Sequence, residues 1–177
     1  MSYFAAAVVR GSDGWSASEL DLSGASDIDE VADRLRDVDP DADLSLMFVE
    51  SDDSYLVIMR LDEGEDLRVF GSDSVFAAES RLGALLLGDV EAPALEIDEP
   101  VEAAAEEGNA DADADEQPTA DPDVDPVGDA DLLADLGVTS HRLLDLCAHD
   151  GMMPADVTAE VCQAIGCGDE VEELREA

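Results

Sequence analysis

The chain has 177 residues, with 47 acidic side chains against 8 basic ones and a formal net charge of −39. All the basic residues are arginines; lysine is absent. Such a charge repels phosphate backbones, whose binding relies on lysine and arginine displacing counterions, so direct contact with DNA or RNA is not expected. Anionic membrane surfaces are disfavoured for the same reason. A basic protein partner is favoured, because opposite charge speeds encounter, although acidity also serves solubility alone. Three cysteines, Cys147, Cys162 and Cys167, form no disulfide framework and point to a reducing cytoplasm. The opening "MSYFAAAVVR" has no basic residue before its apolar run, unlike a secretory signal, and no apolar run is long enough to span a membrane.

Residues 1–89 read as an α+β domain. "SYFAAAVVR" (2–10) and "WSASELDL" (15–22) are strand-like and flank the turn "GSDG", so a hairpin is expected. "SDIDEVADRLRDV" follows with Ser26 or Asp27 as N-cap, Glu30 in capping-box position, and Ile28, Val31, Leu35 and Val38 on one helical face. "LSLMFVE" (44–50) and "YLVIMRL" (55–61) are apolar at nearly every residue, the pattern of central strands covered on more than one face. "LRVFGS" (67–72) is a shorter strand, and "SVFAAESRLGALLLG" (74–88) a helix stopped by Gly88. The order β-β-α-β-β-β-α predicts a mostly antiparallel five-stranded sheet with two helices packed on it.

Residues 90–127 hold 14 acids, five prolines, no aromatic and no basic residue. Little there can be buried and like charges repel, so a disordered acidic linker is expected. Residues 128–177 return to helical spacing. "DADLLADLG" carries Leu132, Leu133 and Leu136 up to Gly137; "TSHRLLDLCAHDG" starts at Thr139 or Ser140; "PADVTAEVCQAIG" has Pro154 in its first turn; "GDEVEELREA" is a last short helix. About 50 residues are marginal for independent folding, and the sequence leaves open whether this helical unit docks on the first domain.

The sequence offers few chemical constellations. Asp111, Asp113 and Asp115 have the spacing that opens an EF-hand, but the glycine and glutamate that the loop requires are replaced by Glu116 and Pro122. His141, Cys147, His149, Cys162 and Cys167 are the candidate metal ligands, yet no CxxC occurs. Cys147 and Cys162 fall on apolar helical stripes, where cysteine acts as a small hydrophobe. Phosphate-cradling glycine loops, the G-x-S-x-G elbow, H-E-x-x-H and the zinc-deaminase pair of H-x-E and P-C-x-x-C are absent, so no catalytic residue and no cofactor are assigned. The helix pair at 140–166 has helix-turn-helix length, but Arg142 is its single basic residue.

The opening "MSYFAAAVVR", the "GW" after the first turn, and "RVFGSD" to "RLGALLLGD" carry a resemblance that continues in "PVGDADLLADLG", "LLDLCAHDG", "MPAD" and "GDEVEELR". In these segments the chain resembles the tRNA adenosine deaminase-associated proteins of actinobacteria. The resemblance skips the acidic middle and brings no catalytic residues. It implies association with the enzyme that makes inosine at the anticodon wobble position. The expectation is a non-enzymatic, cytoplasmic interaction protein whose acidity meets the basic surface of that deaminase. The alternatives are a small metal- or ligand-binding domain, or an acidic nucleic-acid mimic directed at another basic protein.

Overall fold

Strands that are apolar on both faces need two covering layers, and the computed structural model of the chain supplies them. The structure describes residues 3–51, 55–73, 81–87, 126–148 and 153–176. Strands β1 (Tyr3–Gly11), β2 (Gly14–Glu19), β3 (Leu44–Ser51), β4 (Tyr55–Asp62), β5 (Asp66–Gly71) and β6 (Val127–Gly128) form one sheet in the order β2-β1-β3-β4-β5-β6, with every neighbour antiparallel. The helices are α1 (Ile28–Val38), α2 (Arg81–Leu87), α3 (Ser140–Ala148), α4 (Pro154–Ile165) and α5 (Gly168–Glu176).

The strand period divides the core in two. Met47 and Val49 of β3 and Val57, Met59 and Leu61 of β4 point to one face, where Val31 and Leu35 of α1 and Leu86 and Leu87 of α2 cover them. Leu44, Leu46 and Phe48 with Leu56 and Ile58 point to the other. Leu132, Leu133, Val138, Leu143, Val157 and Val161 cover that second face, so the C-terminal helices share a hydrophobic core with the sheet. All eight residues of β3 are buried, as the unbroken apolar run requires. At about 25 cal/mol per Å² of apolar area removed from water, this double burial is the main stabilising contribution.

Local signals act as expected at several ends. The Asp27 carboxylate accepts from the Glu30 N–H at 3.0 Å, and the Glu30 carboxylate accepts from the Ser26 N–H at 2.6 Å, closing the start of α1. Pro154 is the first residue of α4. Of the expected helix over 74–88, residues 81–87 are helical and the rest lies outside the described residues.

Two expectations are corrected. The sheet has six strands rather than five, because Val127 and Gly128 pair with Gly71 and Phe70. A two-residue strand has no periodicity of its own; its place is set by β5. The expected helix in "DADLLADLG" is a set of turns ending in a 3-10 helix at Ala134–Leu136. The Asp129 carboxylate accepts from the Asp131 N–H at 2.9 Å, and this local bond competes with a helical start.

Gly71 is where α2 and β6 both meet β5. A methyl group placed on Gly71 would sit 2.5 Å from Leu87 Cδ1, and Gly71 pairs with Val127. Leu87 and Val127 therefore meet the sheet at one residue. The expected linker between them lies, except for Pro126 and Val127, outside the described residues.

Gly128 has φ +91°, and a methyl group there would lie 2.1 Å from the Val69 carbonyl oxygen. Gly128→Ala is expected to destabilise the fold by about 1–3 kcal/mol through backbone strain, read as a lower urea midpoint.

Candidate functional site

Since the chain is so acidic, the fate of its eight arginines decides what surface it offers. Arg60 sits on the β4 face that meets the C-terminal helices, with a side chain only 6% exposed. A buried guanidinium needs its donors satisfied. Arg60 Nε and Nη2 donate to the Asp62 carboxylate at 2.9 Å, while Nη1 and Nη2 donate to Asp135 at 2.5 and 2.8 Å. Arg60 Nη1 also donates to the Leu132 carbonyl. That carbonyl is thus capped by a side chain from the sheet. The Asp135 hydrogen bond raises the pKa of Arg60, and Arg60 holds the Asp135 carboxyl below its usual range.

Arg175 of α5 makes a second junction, donating to the Glu50 carboxylate of β3 with its guanidinium 4.8 Å above the Phe4 ring. Arg68 faces Asp62 at 3.3 Å and Asp129 at 3.6 Å, Arg36 pairs with Asp33, and Arg142 faces Glu160 at 3.7 Å. Arg34 donates to the carbonyls of Asp21 and Ser23 at 2.6 and 3.0 Å. Arg10 stacks on Trp15 at 5.6 Å. Arg81 is the one arginine whose side chain makes no ion pair, hydrogen bond or ring contact among the described residues.

Arg81 begins α2 and lines a cleft of about 360 Å³ with Leu22, Ser51, Leu82, Leu85 and Tyr3. The Tyr3 hydroxyl accepts from the Leu22 N–H at 3.1 Å and fixes one wall. Asp21, just before that wall, accepts from the Ser23 hydroxyl and N–H, and these bonds hold its carboxyl below the usual range. The cleft presents apolar carbon, hydroxyls and one cation with no anion.

Among the described metal candidates, only Cys162 and Cys167 are brought together. His141 is exposed at the start of α3, Cys147 is half-buried on the same helix, Cys162 is buried in the last turn of α4, and Cys167 is buried between α4 and α5. His149 and the triad Asp111, Asp113 and Asp115 lie outside the described residues. No group of three His, Cys, Asp or Glu side chains is placed to hold a metal ion among the described residues. Burial pushes the Cys147 thiol up to about 12. The neighbouring Cys167 thiol, and then burial, push Cys162 up as well. Both thiols stay protonated near neutral pH, and protonated thiols are poor ligands and nucleophiles.

In the sequence Arg81 counts among six first-domain arginines that could bind an anion or pair with acids, and a signal that sets it apart exists. Of the helical arginines, Arg34, Arg36, Arg142 and Arg175 each have an acid three or four residues away (Glu30, Asp33, Asp145 and Glu172). Arg81 has alanine or leucine at all four such positions.

These features define the class: an antiparallel sheet between two helical layers, with seven of its arginines committed internally and a largely apolar cleft at Arg81. The chain belongs to the Rv3753c-like tRNA adenosine deaminase-associated protein family, whose sequence profile matches residues 3–168. The family name associates its members with tRNA adenosine deaminase. No curated protein and no solved structure matches the chain. No helix among the described residues is long and apolar enough to cross a membrane.

Asp135 has a depressed pKa in the folded state, so its stabilisation is full above the ordinary value of 3.8 and is lost as pH falls through the folded value. Asp135→Asn is expected to lower stability at pH 7 by less than about 1 kcal/mol, because the carboxylate is half exposed. The gap to wild type should close below about pH 4 in urea midpoints taken across pH.

Proposed function

We propose that this protein is a non-catalytic accessory partner of a tRNA adenosine deaminase, docking by charge on the surface that the enzyme uses for tRNA. The observation that carries the reading is the commitment of the cations. Five arginines are ion-paired within the fold, Arg34 is spent on carbonyls, and Arg10 is stacked on a ring. The remaining carboxylates are left to present an almost uniformly negative surface in the cytoplasm. An enzyme that handles tRNA needs lysine and arginine where the phosphates lie, and such a surface is the electrostatic complement of this one. Occupying it would compete with tRNA. Residues 90–127, with 14 acids and no base, supply the densest charge. The deamination chemistry belongs to the partner, since this chain lacks the H-x-E and P-C-x-x-C pattern of zinc deaminases.

Mixing the purified chain with the deaminase should give a complex at low salt. Its affinity is expected to fall at least roughly tenfold between about 50 and 200 mM salt, and tRNA should displace the chain. No complex at either salt would sink the reading.

Arg81 favours a second reading, capture of a small organic anion. Its free guanidinium beside the apolar walls of Leu22, Leu82 and Leu85 fits a carboxylate on a short apolar body. A thermal-shift screen of small carboxylates is expected to give a rise in melting temperature that Arg81→Ala abolishes. A flat screen with the wild type would remove this reading.

A further inference from the structure

The two edges of the sheet differ. β5 is edged in part by β6, and its remaining residues include the charged Asp66 and Arg68. β2, at the other edge, reads Gly-Trp-Ser-Ala-Ser-Glu, with neither proline nor lysine. Natural edge strands are usually blunted by such residues or by a bulge, because their free N–H and C=O groups accept another strand.

The register shows which groups are free. β1 and β2 are antiparallel with Ala7 opposite Ser18 and Val9 opposite Ser16, and the Leu20 N–H donates to the Ala5 carbonyl at 2.8 Å. Hydrogen-bonded pairs alternate along an antiparallel ladder, so Ser18, Ser16 and Gly14 aim their main-chain groups at β1. Trp15, Ala17 and Glu19 then aim theirs away from the sheet. Among the described residues, no hydrogen bond is made by the N–H or C=O of these three. The Trp15 and Ala17 side chains pack on the core that the C-terminal helices cover, and α5 packs against β2.

The surroundings select the occupant. Glu19 ends the strand, and Asp13 and Asp21, both exposed, flank it. The helix packed against β2, α5, exposes Asp169, Glu172, Glu173 and Glu176. The nearest cation on β1, Arg10, is stacked on Trp15. A second copy of the chain would bring a charge of −39 against −39. We infer that the outer rim of β2 is a docking edge for an extended, lysine- or arginine-bearing segment of a basic protein. That segment adds as a seventh strand through the main-chain groups of Trp15, Ala17 and Glu19. Identifying its source as the deaminase rests on the function proposed above; the edge itself does not.

The probe is a synthetic peptide of alternating lysine and valine, added to the full chain, with hydrogen exchange followed at single amides. Exchange at Trp15, Ala17 and Glu19 should slow by tenfold or more. A glutamate-for-lysine version of the peptide should change nothing. Ala17→Pro removes one outward N–H and no bond to β1, so the variant should fold and lose the protection. Should Ala17→Pro fail to fold, Ser16→Lys keeps the ladder, adds a repelling charge at the rim, and should weaken peptide binding at least fivefold. Peptide binding without protection of these three amides overturns the inference. So does an absence of binding, or protection that survives in whichever variant folds. With the deaminase in place of the peptide, a complex that forms equally well with the folded variant overturns the use of this edge by that enzyme. If wild type does not bind the deaminase, the function proposed above fails, and the peptide result alone decides the edge.

Discussion

The fold turns on two strands with no polar face. β3 and β4 are apolar at successive positions, so each needs cover above and below, and the helices of the first 89 residues reach one side. The chain must return after residue 125 to cover the other, and it does so with six apolar side chains from turns and helices. Arg60 fixes where the returning segment sits. It stands between apolar residues on β4, and it is tolerated there because Asp62, Asp135 and the Leu132 carbonyl satisfy it together. An apolar residue in its place would fill space without selecting one seating of the returning segment.

The same economy shapes the surface. Eight cations among 47 acids would be expected to lie dispersed as weak surface pairs, each contributing little. Here several are placed where they join elements: Arg175 with Glu50, Arg60 with Asp135, and Arg34 with the loop before α1. These contacts tie the sheet to its helices and add to the apolar burial that stabilises the fold. In the function proposed above, recognition by a basic protein and cohesion of the fold draw on residues of opposite sign that do not compete.

How much of this was legible in the sequence depended on range. Segments ruled by their own residues were readable: the runs at 44–50 and 55–61, the capping residues Asp27 and Glu30, and Pro154 at the start of a helix. Features ruled by distant partners were not. Val127 and Gly128 are a strand because Phe70 and Gly71 lie beside them. The turns at 131–136 replace a helix because Asp129 bonds locally and Arg60 takes the Leu132 carbonyl. The cleft draws on residues 3, 22–25, 51 and 81–85, and no single stretch contains its pattern. The family resemblance was readable because it rests on order and identity of short segments, and the match over 3–168 agrees with it.

Leu87 and Val127 meet the sheet at the same residue, Gly71. The described residues on either side of 88–125 therefore meet the sheet at nearly one point. For a flexible connection, the entropy of closing such a gap grows only as the logarithm of its length, about 0.6 kcal/mol per doubling. Ends held this close let residues be added or removed between 87 and 127 while the sheet and its two helical layers keep their register. Charge becomes an adjustable quantity, separated from the architecture that carries it.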